Sequence, residues 1–201
     1  MSDAPARTYD PIAVSSESTV VAEYVHDPSQ ADAYQSESAL EKEMIRLLEG
    51  QAYDYLPITS EAQLVANLRT QLEALNAMTF SDTEWEQFFS ERIAGANDGI
   101  VEKTVRIQED HVQLLKRDDG SVKNILLIDK QNIHNNRLQV INQYEIGQGE
   151  GGSARSNRYD VTVLVNGLPM VHIELKRRGV DIREAFNQID RYQRDSFWAG
   201  S

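Results

Sequence analysis

Residues 159–176 read YDVTVLVNGLPMVHIELK, and the fold turns on how this stretch is parsed. Val161, Val163 and Val165 alternate with other side chains up to Asn166-Gly167, and Val171, Ile173 and Leu175 do so after it, which is the period of two β-strands. Asn-Gly is the strongest short hairpin signal, because both residues tolerate the positive φ that a tight turn demands. The stretch therefore predicts strands from Tyr159 to Val165 and from Met170 to Lys176. Asp160, Glu174 and Lys176 occupy positions between the apolar ones. Register decides whether the two carboxylates meet. A two-residue turn pairs Val165 with Leu168, and an unbroken ladder then sets Asp160 against Ile173, with the carboxylates on opposite faces. Meeting requires a three-residue loop or a bulge near Gly167 to Pro169. We expect that shift, and a regular ladder would exclude a metal shared between the two.

The chemistry behind the spacing Asp-x13-Glu-x-Lys is phosphodiester hydrolysis, which needs a divalent ion to gather charge, water and the scissile phosphate in one place. Two carboxylates on neighbouring strands can hold Mg²⁺ through oxygen while leaving several of its positions to water and phosphate. A lysine two residues past the second carboxylate returns to the same strand face. There it can orient the attacking water or stabilise charge on the phosphate. Glu-x-Lys alone says little in a chain with 32 acidic residues, where a solvated charged face gives the same string. Its weight comes from lying in one hairpin whose other face is apolar.

Beyond the hairpin a helix is expected from Ile182 to about Phe197, opened by Asp181 with Glu184 three residues on. Ile182, Ala185, Phe186 and Ile189 make its core face. Gln188 and Tyr192, four apart, share another side, and Arg183, Arg191 and Arg194 are left for solvent or phosphate. Before the hairpin lies a glycine-rich connection, residues 147–156. Gly147, Gly149 and Gly152 satisfy Gly-x-Gly-x-x-Gly, but a dinucleotide loop must open a helix and this one feeds a strand. A kinase-type loop would need a far longer catalytic lobe after it. The four histidines show no metal spacing, and His172 is read as a strand residue beside a polar cluster.

Further toward the N terminus, Arg137 to Ile146 reads as a strand, and residues 111–116 and 122–129 flank Asp118-Asp119-Gly120 as a second hairpin. The period is expected to change from helical to strand at about Val101. Three helical patterns precede it. One starts at Ser36 or Ser38, carries Leu40, Met44, Leu47 and Leu48 as a stripe and closes at Gly50. The other two, from Ser60 to Ala77 and from Ser81-Asp82 through Ile93, suggest a helical insert. Residues 1–35, rich in Ser, Ala, Asp and Pro, are expected to form an arm that is partly disordered, with Ser18 to Val25 as a candidate edge strand.

The net charge of -12 conceals a division. Residues 1–100 hold 18 acidic and 5 basic side chains, and residues 101–201 hold 14 and 15. Between Arg155 and Arg194 there are eight basic residues against five acidic ones, so the local field around the hairpin suits a polyanion although the chain as a whole does not. Absence of cysteine excludes disulfides and thiolate chemistry. No apolar run is long enough for a signal peptide or a membrane span, which points to the cytoplasm.

Arg158-Tyr159-Asp160-Val161-Thr162, Val165-Asn166-Gly167-Leu168-Pro169, Ile173-Glu174-Leu175-Lys176-Arg177-Arg178-Gly179 and Ile182-Arg183-Glu184-Ala185-Phe186-Asn187-Gln188-Ile189 closely resemble the N-terminal nuclease domain of the R (HsdR) subunit of type I restriction enzymes. The likeness extends to Gln35-Ser36-Glu37-Ser38 and covers roughly residues 34–198. It implies an α/β fold of the restriction-endonuclease, or PD-(D/E)xK, type: a mixed β-sheet flanked by helices, here with the helical insert, over residues 36–201. It implies Asp160, Glu174 and Lys176 as catalytic residues, with the two carboxylates on Mg²⁺. Gln188 and Tyr192 match a Gln-x-x-x-Tyr motif of the RecB-like group, and the family places a supporting glutamate on the first helix, for which Glu37 and Glu41 both qualify. Tyr159 stands where the motif name has proline.

The resemblance further implies a nuclease acting on double-stranded DNA without selecting sequence itself. Methyltransferase and specificity subunits would supply recognition. ATP-driven motor domains, expected after residue 201 in a longer subunit, would supply translocation. Two other readings stand beside it: a catalytically silent docking module of the same fold, and a stand-alone RecB-like nuclease.

Overall fold

The computed structural model describes residues 9–14, 20–24, 36–95, 98–146, 157–176 and 183. The chain divides into two compact units, Met1–Gln35 and Ser36–Ser201. In the first, β1 (Tyr9–Val14) pairs antiparallel with β2 (Val20–Tyr24), and the register breaks between Pro11 and Ala13, beside a residue with no N–H to give a ladder. The stretch expected as a candidate edge strand is thus a strand, and it pairs with β1.

The second unit begins with α1 (Glu37–Glu49). Ser36 caps it, its hydroxyl accepting the Ala39 N–H at 3.2 Å, which decides between the two serines. β3 (Asp54–Tyr55) and α2 (Glu61–Leu75) follow, the latter opened by a Ser60–Gln63 capping box. α3 (Asp82–Phe88), opened by the Ser81–Glu84 box, runs into a π-helical turn, Phe89–Ile93. Next come α4 (Ile100–Gln108), β4 (Val112–Lys116), β5 (Val122–Leu126) and β6 (Leu138–Ile146). β7 (Asn157–Val165) and β8 (Leu168–Ile173) complete the set.

α4 overturns the expectation that strand periodicity starts near Val101. Ile100, Val101, Thr104, Val105 and Ile107 are β-branched and weigh against helix on propensity. Local interactions outweigh them: the Glu102 carboxylate accepts the Gly99 N–H at 2.9 Å, and Arg106 pairs with Asp98 at 2.6 Å. Ile100, Val101 and Val105 remain exposed, so the helix does not depend on burying them.

The main sheet has the order β3-β6-β7-β8. β3 runs parallel to β6, with Asp54 beside Gln139, and the other neighbours are antiparallel, so the sheet is mixed as expected. Successive residues of β6 point to opposite faces, and two helices cover those faces. Val140 packs with Val161 and Val163 against Ile45 and Leu48 of α1. Ile141 packs with Leu164, Tyr144 and Tyr159 against Leu64 of α2. Leu68 and Leu72, one and two turns on, enter a second cluster with Phe80, Trp85, Phe88, Leu115, Ile125 and Leu127. Each of the three α2 leucines is wholly buried, worth about 1.5–3 kcal/mol apiece. Among the described residues no helix is long and apolar enough to cross a membrane.

Glu84 ties the helical insert to the β4–β5 hairpin. Its buried carboxylate accepts the N–H groups of Ser81 and Asp118, both at 3.0 Å, and pairs with Arg117 at 2.7 Å. Burial pushes this carboxyl up, but those two N–H groups and the guanidinium outweigh it and hold it below its ordinary value. A depressed folded value gives stability that is full above the unfolded carboxyl range and is lost as pH falls through the folded value. Glu84→Gln is accordingly expected to flatten the acid side of a stability-against-pH profile measured by urea unfolding. An unchanged acid slope would remove Glu84 from that role.

Candidate active site

The β7–β8 turn is formed by Asn166 (φ 51°) and Gly167 (φ 81°), the two positive-φ residues a twisted hairpin requires. Val165 pairs with Leu168 and Leu164 with Pro169, but Val163 pairs with Val171, Thr162 with His172 and Val161 with Ile173. Met170 is the extra residue, and its bulge is the expected shift. Carried one residue pair further, the register sets Asp160 across from Glu174. The strand itself stops earlier than expected: β8 ends at Ile173, and residues 174–176 leave the ladder. Asp160 Oδ2 accepts the Leu175 N–H at 2.8 Å, so the carboxylate takes a donor that an edge ladder would otherwise leave to solvent.

The Glu174 side chain is almost fully buried. Its Oε1 accepts from Lys176 Nζ at 2.5 Å, while its Oε2 is buried with no hydrogen-bond partner. Burial pushes the Asp160 carboxyl above its ordinary value; the Leu175 N–H and Lys176 oppose the rise, and Glu41 and Glu37 add to it. Burial raises Glu174 as well, against its bond to Lys176 and with the repulsion of Asp160 and Glu37. For Lys176 burial works downward, yet Glu174, Asp160 and Glu37 prevail and hold the ammonium above its ordinary value. Among the described residues the charges of Glu174, Asp160 and Glu37 thus all bear on one ammonium. Among the described residues no group of three or more His, Asp or Glu side chains is gathered closely enough to enclose an ion.

The two candidate glutamates of α1, Glu37 and Glu41, do different things. Glu41 is buried, and its carboxylate accepts from Asn142 Nδ2 at 2.5 Å and from Gln143 Nε2. Glu37, one turn earlier and exposed, acts electrostatically on Asp160, Glu174 and Lys176. Asn142 and Gln143 carried no sequence signal, since an amide in a strand reads as an outward-facing polar residue. His172 stacks on the Tyr159 ring at 4.2 Å, with Nδ1 3.0 Å from Thr162 Oγ1. Arg183 is helical and exposed. Gln188, Tyr192, Arg191 and Arg194 lie outside the described residues, as do the rest of the expected last helix and the glycine-rich connection.

Comparison with known proteins shows what this sequence is similar to. A family model for the N terminus of type I restriction enzyme R proteins matches residues 34–200. The chain is 46% identical over 188 residues to the type I restriction enzyme EcoprrI endonuclease subunit of Escherichia coli, covering 93% of this chain and 58% of that one. It is 40% identical over 169 residues to the SsaAORF53P endonuclease subunit of Staphylococcus saprophyticus, covering 82% and 17%. A shorter match, 34% over 85 residues, is to the HindI endonuclease subunit of Haemophilus influenzae. The chain therefore spans little over half of the first relative and about a sixth of the second.

Proposed function

This chain belongs to the family of type I restriction enzyme R-protein N termini, and we propose that it is the Mg²⁺-dependent endonuclease portion of such a subunit, with a PD-(D/E)xK fold. Its substrate is then the phosphodiester backbone of double-stranded DNA. The observation that carries the reading is Glu174 Oε2, a buried carboxylate oxygen without a partner, across the register from Asp160 and beside Lys176. A buried carboxylate oxygen left without a partner is costly unless a cation or a proton meets it. Asp160 and Glu174 would hold the ion, and a bound divalent ion supplies charge neutralisation at the phosphate and a more acidic water.

Lys176 lies close enough to the same carboxylates to meet a phosphate oxygen brought to them, stabilising charge as it develops. Glu37, at the start of α1, adds negative potential that favours the cation. Arg183, with Arg191 and Arg194, would meet the DNA backbone, and Gln188 and Tyr192 would serve the site from the last helix. Base selection is left to methyltransferase and specificity subunits in the cytoplasm, and delivery of DNA to an ATP-driven motor in the rest of the subunit.

Mn²⁺ titration of the chain, followed by loss of the free ion's electron paramagnetic resonance signal, tests the site directly. Weak saturable binding is expected, strongly reduced by Asp160→Asn and by Glu174→Gln. Because both carboxyls are held above their ordinary values, protons should compete with Mn²⁺ at a higher pH than at an ordinary carboxylate pair. No saturable binding, or binding indifferent to both substitutions, would favour the docking module.

A further inference from the structure

In a regular strand Tyr159 and Val161 share a face, and so do Ile141 and Gln143. Here Tyr159 packs with Ile141 and Leu64 of α2, whereas Val161 packs with Ile45 and Leu48 of α1. Alternation is therefore broken at Asp160. It is broken at the matching place on β6 too, where Asn142 and Gln143 both give their amides to Glu41 on α1 while Tyr144 returns to the α2 side. The ladder pairs Asn142 with Val161 and Tyr144 with Tyr159 but skips Gln143 and Asp160. Gln143 sits there at φ 52°, in the left-handed region that a non-glycine residue enters at a cost. Something must hold it. The contact that does so is the buried Glu41 carboxylate, which takes two amides that only a kinked strand can present together.

We propose that Glu41 is a positioning residue for Asp160: by clamping Asn142 and Gln143 it maintains the kink in β6 that turns the Asp160 carboxylate toward Glu174. This rests on the reading of Asp160 and Glu174 as cation ligands. Glu41 gives both its oxygens to those two amides while its charge still bears on Asp160, and the charge of Glu37 bears on Asp160, Glu174 and Lys176 alike.

A double-mutant cycle read by Mn²⁺ affinity separates positioning from ligation. Glycine takes φ near 50° without strain, so in a Gln143→Gly background the kink no longer needs the clamp. Glu41→Ala is expected to weaken Mn²⁺ binding about tenfold or more in the parent chain but less than about threefold in the Gln143→Gly background. A ligand, or a residue acting only through the stability of α1, would show the same loss in both backgrounds, and that outcome overturns the proposal. So does an unchanged affinity in Glu41→Ala. Should alanine unfold the chain, Glu41→Gln keeps the volume and one acceptor oxygen and is read in the same way. A parent chain that binds no Mn²⁺ would instead sink the cation reading on which the proposal stands.

Discussion

Lys176→Ala is expected to reduce DNA cleavage by the assembled enzyme about 10²–10³-fold, with the chain still folded and Mn²⁺ still bound. The ammonium is the only positive group at Glu174 among the described contacts, 2.5 Å from Oε1, and it lies beyond the end of β8 where no ladder bond depends on it. Its loss leaves Glu174 without a countercharge, and that carboxyl, already above its ordinary value, can accept a proton rather than unfold the protein. The structural penalty is thereby limited while the loss at the developing phosphate charge is not. Asp160→Asn is expected to match it in cleavage but to lose Mn²⁺ as well. Cleavage is measured on supercoiled plasmid with ATP, alongside ATP hydrolysis as a control on the motor. Cutting within tenfold of the parent enzyme would remove Lys176 from the reaction.

Much of this arrangement is legible in the sequence, and the reasons are local. Ser36, Ser60 and Ser81 mark three helix starts because a side-chain oxygen satisfies N–H groups that the helix cannot. A one-residue shift could be inferred from counting, since only one register sets Asp160 across from Glu174, but counting left a loop and a bulge near Gly167 to Pro169 both open, and the structure puts a bulge at Met170. What stayed hidden depends on distant contacts. β3 is two exposed residues whose strand character comes from β6, more than eighty positions away. α4 carries strand-favouring residues and forms through an end cap and one ion pair. Gln143 takes a positive φ with no glycine to announce it, because a carboxylate on α1 holds it there. The candidate catalytic residues and the α1 glutamates could therefore be named from the hairpin and the resemblance together, whereas Asn142 and Gln143, the two amides that Glu41 takes, could not.

Gly167→Ala is expected to destabilise the chain by about 2–5 kcal/mol, summing left-handed backbone strain with a steric conflict. Gly167 has φ 81°, and a Cβ there would lie 2.6 Å from Leu68 Cα and 3.0 Å from Leu68 N. Those are backbone atoms of α2, and Leu68 is wholly buried, so the helix cannot yield cheaply. Nor can the turn slide. The buried Asn166 side chain gives Nδ2 to Leu127 O at 3.0 Å and Asn136 Oδ1 at 2.8 Å, and takes the Arg137 N–H at 2.8 Å. Gly120 supplies an internal control, with the same φ of 81° and nothing within 4 Å of a Cβ. Gly120→Ala should cost only the backbone share, about 1–2 kcal/mol. The difference between the two, measured by urea unfolding, isolates the close approach to α2. If the turn moves to relieve the clash, the register beyond Met170 moves with it, so Gly167→Ala should also weaken Mn²⁺ binding where Gly120→Ala leaves it intact. Equal destabilisation by the two substitutions would mean that α2 does not hold the hairpin, and that the register at Asp160 and Glu174 is set by the Met170 bulge alone.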